Sequence, residues 1–298
     1  MTKHSFEGRV AVVTGAGRGI GRAYARLLAD RGASVVVNDL GGSIEGDGAD
    51  TEPASTVAAE IVAAGGNAIG DTGDVATAAG AQALVDAAIE RFGRLDILIN
   101  NAGIVRWAGF PKADADNLAR HLHVHVAGSF NSARAAWPHM VEQGYGRIVM
   151  TGSTGMFGLP NNLSYATAKA GVIGLTRSLT TAGAQHGIKV NVIAPAAFTR
   201  MAGEHTDEPP HMSPELVAPM VAFLAHEACP VSGEIYAAGG GRFARIFIAS
   251  TPGYVNATAE PTIEDIAENW ATINDETAYF VPADLMAWSA TFMAHLHR

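Results

Sequence analysis

Tyr165 and Lys169 are four residues apart, a spacing that places both side chains on one face of a helix. Ser153 lies 12 residues before Tyr165 and follows a short apolar segment. A tyrosine hydroxyl has a pKa of about 10, and a lysine cation about 4 Å away would lower it by about three units at an effective dielectric of about 20. These residues predict acid–base chemistry on an alcohol, with Tyr165 as the acid/base, Lys169 as its activator and Ser153 holding the substrate oxygen. A purely structural helix pair is the alternative.

A glycine-rich segment, Thr14–Gly21, follows the first predicted strand and opens a helix. Its glycines, Gly15, Gly19 and Gly21, let a phosphate approach the backbone closely, and the N-terminus of the helix supplies free N–H groups. A tight turn would also use glycines. The position between a strand and an amphipathic helix favours a site for the pyrophosphate of a dinucleotide.

Asp39 ends the second predicted strand, about 20 residues beyond the glycines. A carboxylate at this place accepts hydrogen bonds from the adenosine ribose and repels a 2′-phosphate. Arg18, inside the glycine-rich segment, could pair with such a phosphate or be a solvated loop charge. Because Asp39 is expected nearer the ribose, the sequence favours NAD over NADP.

Small and polar residues also follow the third and fourth predicted strands, as Asp74-Val75 and Asn101-Ala102-Gly103. Ligands of open α/β sheets bind at this edge. Asp74 is placed to receive the adenine amino group. For Asn101, contact with the cofactor and bracing of the sheet both remain open.

Short apolar segments alternate with helical ones as far as about Gly239, the pattern of strands that are covered on both faces. The seven predicted strands are Val10–Val13, Ser34–Asn38, Ala68–Gly70, Ile97–Asn100, Arg147–Met150, Val190–Ile193 and Glu234–Ala237.

This alternation predicts an α/β fold: a Rossmann-type, doubly wound, seven-stranded parallel sheet with helices on both faces. Residues 1–241 would form this domain, and residues 242–298 a C-terminal extension packed on the same domain. Helices are expected in the extension from Thr262 onward and over Val281–His295. The Gly- and Asp-rich segment Gly41–Glu52 is predicted to be a mobile surface loop.

Composition excludes several classes of protein. The 298 residues carry 20 basic and 29 acidic side chains, a net charge of −9 with no basic block, so we expect no nucleic-acid partner. The single cysteine, Cys229, cannot form an intramolecular disulfide or a multi-cysteine zinc site. The N-terminus has no apolar signal region and no run is long enough to span a membrane, so a cytoplasmic protein acting on a small-molecule substrate is expected.

Taken together, Thr14–Gly21, Asp74, Asn101-Ala102-Gly103, Ser153 and Tyr165 with Lys169 resemble the short-chain dehydrogenase/reductase family over residues 7–241. The family implies NAD(P)-dependent oxidoreduction of alcohols and ketones. It also implies that Thr199, after Pro195, holds the nicotinamide carboxamide, and that Asn191 belongs to the motif of the sixth strand. The expected cofactor-binding residues are Gly15, Arg18, Gly19, Ile20, Gly21, Asp39, Asp74, Val75, Asn101, Ala102, Gly103, Tyr165, Lys169 and Thr199.

Three further segments, Val37–Gly42, Ala135–Met140 and Gly146–Thr151, are similar to the (3R)-hydroxyacyl-CoA dehydrogenase unit of peroxisomal multifunctional enzymes and its bacterial stand-alone relatives. That subgroup is related to 17β-hydroxysteroid dehydrogenases. The resemblance implies a 3-hydroxyacyl-CoA substrate, with a steroid or other bulky secondary alcohol as the alternative. It also implies a homodimer, with a tetramer as the other possibility.

His125 departs from the wider family, in which the helix over residues 118–136 usually carries an Asn that supports the active-site lysine through a water. The multifunctional-enzyme subgroup also carries His at this position, which leaves a proton-relay role for His125 open. His121, His123 and His125 could suggest a metal, but only the 121/125 pair shares a helix face and no carboxylate completes a site. We therefore expect no metal.

A CoA substrate needs cations for its phosphates, and an acyl or steroid group needs apolar contacts. Surface charge and loop packing are the alternatives for each candidate. The candidate cations are Arg106, Arg200, Arg242 and Arg245, and the candidate apolar contacts are Trp107, Phe110, Met156, Phe157 and Met201.

Overall fold

The fold is that of a computed structural model, which describes residues 4–202, 210–256 and 260–297. The chain divides into two compact units, residues 1–245 and 246–298. The packing of the C-terminal extension on the sheet domain stays a prediction. The strands are β1 Val10–Thr14, β2 Ser34–Asn38, β3 Asn67–Asp71, β4 Ile97–Asn100, β5 Gly146–Thr151, β6 Ile188–Pro195, β7 Ile235–Gly239 and β8 Arg242–Ile246.

The strands form one sheet in the order β3-β2-β1-β4-β5-β6-β7-β8. β1 to β7 pair in parallel, and the order reverses between β1 and β4. β1, β4 and β5 are buried along their whole length, which explains their nearly continuous apolar sequences. In such a sheet, a ligand binds at the carboxyl ends of the strands around the reversal.

Helices cover both faces of the sheet, as the alternating pattern predicts. Side chains of α1, α2 and α7 share one continuous core with the sheet, whereas α3 packs on α5 and α4 packs on α6. The helices of the first unit are α1 Gly19–Asp30, α2 Glu52–Ala63, α3 Ala78–Phe92, α4 Ala115–His121, α5 Gly128–Gln143, α6 Leu163–Gly183 and α7 Ala218–Ala225.

The sheet has eight strands, so the predicted count of seven was wrong. β8 follows β7 after only two residues, Gly240 and Gly241, a connection that can join only antiparallel neighbours. Both glycines have positive φ, 57° and 76°, as a two-residue hairpin turn requires. A hairpin turn and a domain boundary are both rich in glycine, so the run Gly239–Gly241 does not by itself distinguish a further strand from the end of the sheet.

A π-helical turn, Leu122–Ala127, interrupts the single helix expected over residues 118–136 and separates α4 from α5. The sequence Leu-His-Val-His-Val-Ala contains no glycine or proline that would indicate a break. The break in the helix coincides with tertiary hydrogen bonds: the rings of His121 and His125 bond to the backbone of Arg106 and Ile104. Such turns are frequent at functional sites.

The described part of the second unit contains three short α-helices, α8 Ile263–Glu268, α9 Trp270–Ile273 and α10 Leu285–Phe292. Thr262 and Asp265 form a capping box at the start of α8, where a helix was expected to begin. The helix expected over Val281–His295 is shorter at both ends. No helix in the described part of the chain is long and apolar enough to cross a membrane.

Candidate active site

A cavity of about 1040 Å³ opens at the carboxyl ends of the strands that flank the reversal. Of the predicted catalytic and cofactor-binding residues, all but Gly21 line this cavity. A Cβ on Gly21 would overlap the carbonyl oxygen of Gly15 and lie 2.5 Å from Nδ2 of Asn101. Gly21 therefore lets α1 approach the glycine-rich segment closely from beneath, while Gly15 and Gly19 form the surface of the cavity.

The carboxylate of Asp39 is buried and held by two backbone groups. The N–H of Gly17 donates to Oδ2 at 2.9 Å, and the N–H of Gly41 donates to Oδ1 at 2.7 Å. These bonds fix the carboxylate between the glycine-rich segment and the loop after β2. Arg18 and Arg200 also line this end of the cavity, and burial lowers the pKa of Arg200 while the charge of Asp39 opposes that shift.

Contact with the cofactor and bracing of the sheet were both left open for Asn101, and its hydrogen bonds show that it braces the sheet. Its Nδ2 donates to the carbonyl oxygens of Thr14 and Gly15, both at 3.0 Å. The Thr14 hydroxyl accepts the N–H groups of Asn101 and Ala102, a contribution that sequence reasoning missed. These bonds join the ends of β1 and β4 and hold the glycine-rich segment in place.

Asp74 and Thr199 stabilise their own loops while they line the cavity. The Asp74 carboxylate accepts the N–H of Ala76 at 2.9 Å, and the Thr199 hydroxyl accepts the N–H of Met201 at 3.3 Å. Asn191 lies elsewhere: it is fully buried and bonds to Val231 and Glu234, so it joins β6 to the segment before β7.

Ser153, Tyr165 and Lys169 come together in the wall of the cavity. Lys169 is buried, and its Nζ donates to the carbonyl oxygen of Thr151 at 2.8 Å, 5.7 Å from the centre of the Tyr165 ring. Ser153 Oγ accepts the N–H of Gly155 at 3.0 Å. The end of β5 thus anchors the lysine, and the turn that follows anchors the serine.

The family model for short chain dehydrogenases matches residues 9–209. The chain is a short-chain dehydrogenase. It is accordingly an oxidoreductase that acts on CH–OH groups, in a family that uses NAD(P).

Known relatives support the assignment to this family. A Mycobacterium tuberculosis protein named as a short-chain type dehydrogenase/reductase is 43% identical over 272 residues, which cover 90% of this chain and 94% of that protein. The peroxisomal multifunctional enzyme type 2 of Drosophila melanogaster is 41% identical over 279 residues, but the match covers 92% of this chain and only 46% of that enzyme. The solved structure of the full-length Drosophila enzyme aligns with a TM-score of 0.80 at 32% identity, covering 98% of this chain and 50% of that one.

In this dehydrogenase, burial is the largest influence on the pKa values of Tyr165 and Lys169. Burial lowers the pKa of Lys169 to about 7. Burial also raises the pKa of Tyr165, and the hydrogen bond from Ser153 opposes that shift only in part. The expected lowering of the tyrosine pKa by three units is therefore wrong for the protein alone, because removal from water disfavours the phenolate and the lysine cation alike.

His125 lines the cavity, whereas His121 does not line it and stacks on the His125 ring. His121 is satisfied, since its Nδ1 contacts the Asn117 carbonyl oxygen at 2.8 Å and its Nε2 accepts the N–H of Arg106 at 3.2 Å. His125 Nε2 lies 2.9 Å from the Ile104 carbonyl oxygen and 3.3 Å from the Ile104 nitrogen, so this one ring nitrogen faces both backbone groups of Ile104, while Nδ1 has no partner among the described residues. Burial and the charge of Lys169 hold the pKa of His125 well below its usual range.

The four candidate cations for a CoA phosphate differ in their ion pairs and in whether they line the cavity. Arg106 forms ion pairs with Glu45, Asp47 and Asp116, and Arg245 pairs with Glu234, so both are occupied by carboxylates. Arg242 is exposed on β8, which leaves Arg200 in the cavity wall.

Among the apolar candidates, Trp107 and Met201 line the cavity, whereas Phe110, Met156 and Phe157 do not. Phe110 and Phe157 are 82% and 72% exposed. The predicted loop Gly41–Glu52 supplies Ser43, Glu45 and Gly46 to the wall. Cavity residues that sequence reasoning missed include Arg120, His123, Leu159 and Asn162.

No group of three or more His, Cys, Asp or Glu side chains in the described ranges is arranged to hold a metal ion. The rings of His121 and His125 are stacked 5.9 Å apart, and both nitrogens of His121 have backbone partners. Both histidine rings also stand edge-on to the ring of Tyr165, with ring centres 6.3 Å and 5.4 Å away.

Proposed function

We propose that this protein oxidises the hydroxyl group of a 3-hydroxyacyl-CoA with NAD as the hydride acceptor. The observation that carries the proposal is the joint placement of Ser153, Tyr165 and Lys169 in the wall of one large cavity that also contains the glycine-rich segment. A proton acceptor, a hydroxyl that can hold an oxygen and a nearby cation are the groups that alcohol oxidation requires.

The shape of the wall fits a dinucleotide. Gly15 has a φ of 62°, and a Cβ there would lie 2.8 Å from Cα of Ala102, so glycine is what lets the segment before α1 lie this close to the loop after β4. Gly15, Gly19 and Ile20 would surround the pyrophosphate, and Asp39 would bind the ribose of the adenosine. The cofactor, when bound, supplies the carbon that accepts the hydride.

Asp39 supports NAD in preference to NADP. Its carboxylate is fixed at the end of β2 by the Gly17 and Gly41 N–H groups and cannot turn away from a ribose at that place. A 2′-phosphate there would meet a buried negative charge. Arg18 and Arg200 line the same cavity and are the cations that would favour NADP instead.

Three side chains of the protein would each have a separate role in the oxidation. Ser153 Oγ would donate its O–H proton to the substrate oxygen while a lone pair accepts the N–H of Gly155. Tyr165 takes the hydroxyl proton, and the positive charge of Lys169 favours the phenolate that this step needs. Lys169 is kept in place by the Thr151 carbonyl oxygen.

The substrate class rests on the similarity to multifunctional enzymes and on the wall itself. The cavity is large enough for a thioester with part of its acyl chain, and Trp107, Leu159 and Met201 provide apolar contacts. Arg200 is a cation within reach of a phosphate of CoA. A steroid or simple secondary alcohol would use the same three catalytic residues and is the competing substrate class.

The test is NAD reduction, followed by nicotinamide absorbance, with (3R)- and (3S)-hydroxyacyl-CoA beside steroid and simple secondary alcohols. Efficient turnover of one thioester stereoisomer, with weak activity on the free alcohols, supports the proposal. Turnover of steroids or free alcohols without thioester activity would keep the mechanism and overturn the substrate class.

A further inference from the structure

Four buried polar atoms in the cavity wall have no hydrogen-bond partner among the described residues. They are Asn101 Oδ1, His125 Nδ1, Thr151 Oγ1 and Asn162 Nδ2. A buried polar group without a partner costs about 1–3 kcal/mol, so a protein keeps one in a binding site when a ligand can satisfy it. Asn101 Oδ1 is an acceptor, whereas a hydroxyl or a ring nitrogen of histidine can donate or accept. The amide nitrogen of Asn162 can only donate.

The orientation of the Asn162 side chain is fixed by its role at the start of α6. Its Oδ1 accepts the N–H of Tyr165 at 3.4 Å and caps the helix that carries the catalytic tyrosine. A rotated carboxamide would place an NH₂ group against that N–H, so the nitrogen is the atom left without a partner. Asn162 itself is fully buried.

Asn162 belongs to the same part of the wall as the groups that hold the reacting oxygen. Tyr165 lies one helical turn after it, and Leu159 and Gly155 connect it to Ser153 along the chain. The Asn162 N–H donates to the Leu159 carbonyl oxygen at 3.0 Å, which closes this segment into a tight turn beside the cavity. A donor at this place suits a second oxygen of a substrate whose first oxygen is held by Ser153 and Tyr165.

We propose that the Asn162 carboxamide donates a hydrogen bond to the thioester carbonyl oxygen of the substrate and so selects alcohols that carry such a carbonyl near the reacting carbon. The inference rests on the proposed function and deepens it. A 3-hydroxyacyl thioester has its carbonyl carbon two bonds from the reacting carbon, whereas a simple secondary alcohol has no acceptor there. A site built to hydrogen-bond a substrate group discriminates strongly against an analogue that lacks the group.

The cap and the donor can be separated by substitution. Asp and Ser are as good as Asn at the first position of a helix, so Asn162→Asp and Asn162→Ser keep an oxygen that can accept the Tyr165 N–H. Both remove the amide donor. Asn161→Asp, at the exposed neighbouring position, is the matched control for the added charge.

The contribution of the thioester carbonyl to turnover can be measured with two substrates that differ only in that group. One is 3-hydroxybutyryl-CoA, and the other is S-(3-hydroxybutyl)-CoA, in which a CH₂ group replaces the thioester carbonyl and the CoA part is unchanged. The quantity measured is the ratio of kcat/KM for the thioester to kcat/KM for the thioether, for each variant with NAD. Thermal unfolding and NADH binding by fluorescence accompany each measurement.

In Asn162→Asp and Asn162→Ser we expect this ratio to fall by about tenfold or more, since a single hydrogen bond is lost from one substrate only. In Asn161→Asp the ratio stays within about twofold of the wild-type value. Equal losses on both substrates in the Asn162 variants would show that Asn162 acts only as a helix cap, and would overturn the inference while leaving the proposed function intact. Failure of the wild-type protein to oxidise the thioester, with turnover of other alcohols, would overturn the proposed function and the inference with it.

Discussion

The imidazole of His125 stands edge-on to the ring of Tyr165, with the ring centres 5.4 Å apart and the planes at 88°. The other side of the imidazole lies against Gly103, where a Cβ would come within 2.6 Å of Cε1. His125 thus lies between the loop after β4 and Tyr165. The π-helical turn Leu122–Ala127 and the small residue at position 103 both serve to fit that ring.

We predict that Gly103→Ala destabilises the protein by about 1–3 kcal/mol, because the methyl group overlaps a buried ring that cannot move away. In a His125→Ala background the same substitution should cost much less, so chemical denaturation of the two single variants and the double variant measures the coupling. Gly174→Ala is the control, since nothing lies within 4 Å of its Cβ position in α6. Additive effects of Gly103→Ala and His125→Ala would contradict the packing described for this pair.

His125→Ala should lower kcat by about tenfold and change the affinity for NADH by less than about threefold. The reason is that His125 lines the cavity with Lys169, feels the charge of that lysine, and has a ring nitrogen, Nδ1, without a partner among the described residues. Steady-state kinetics and fluorescence titration of NADH, both well below the Tm of the variant, separate the two quantities. An unchanged kcat would assign His125 to packing alone.

Lys169 should make folding stability depend on pH. Its pKa is about 7 in the folded protein and 10.5 in the unfolded chain, so between these values the unfolded chain binds the extra proton. Stability from this group therefore rises as the pH increases from about 7 to about 10, by a few kcal/mol at about 1.4 kcal/mol for each pKa unit.

Replacement of the lysine by methionine removes this dependence. The difference in unfolding free energy between Lys169→Met and the wild-type protein should favour the variant most at pH 6–7 and decline toward pH 10. Lys112→Met, at an exposed position, should show no such trend. A difference that is constant across the range would mean that the buried amine keeps an ordinary pKa.

Asp39 should decide between the two nicotinamide cofactors. The wild-type protein is expected to have a kcat/KM for NAD at least about 100-fold above that for NADP, because a buried carboxylate repels the 2′-phosphate. Asp39→Asn should reduce this preference by at least about tenfold, whereas Asp86→Asn, at an exposed position of α3, should leave it unchanged. Equal kcat/KM values for NAD and NADP in the wild-type protein would end the assignment of NAD.

Sequence reasoning succeeded where the signal is local. The four-residue spacing of Tyr165 and Lys169 needs only a regular helix to bring both side chains to one face, and α6 provides it. The glycine-rich segment and Asp39 likewise follow directly from strands whose apolar sequences are easy to identify. These residues consequently lie in one cavity, as the alternation of strands and helices implies.

Features that depend on distant contacts were not accessible in the same way. The π-helical turn is set by hydrogen bonds from His121 and His125 to a loop about 15–21 residues away. Asn162 has the sequence signature of a helix cap, and its unsatisfied nitrogen is visible only in the folded wall. The lowered pKa of Lys169 reflects burial by the whole domain rather than its tyrosine neighbour.

The most direct test of the catalytic account compares the wild-type protein with Tyr165→Phe in the NAD-dependent oxidation of a 3-hydroxyacyl-CoA. The substitution removes one hydroxyl and keeps the ring that packs against His125. We predict that kcat falls by at least about 100-fold while the Tm and the affinity for NADH stay close to the wild-type values. A Tyr165→Phe variant that forms NADH at the wild-type rate would contradict the assignment of this cavity as the catalytic centre.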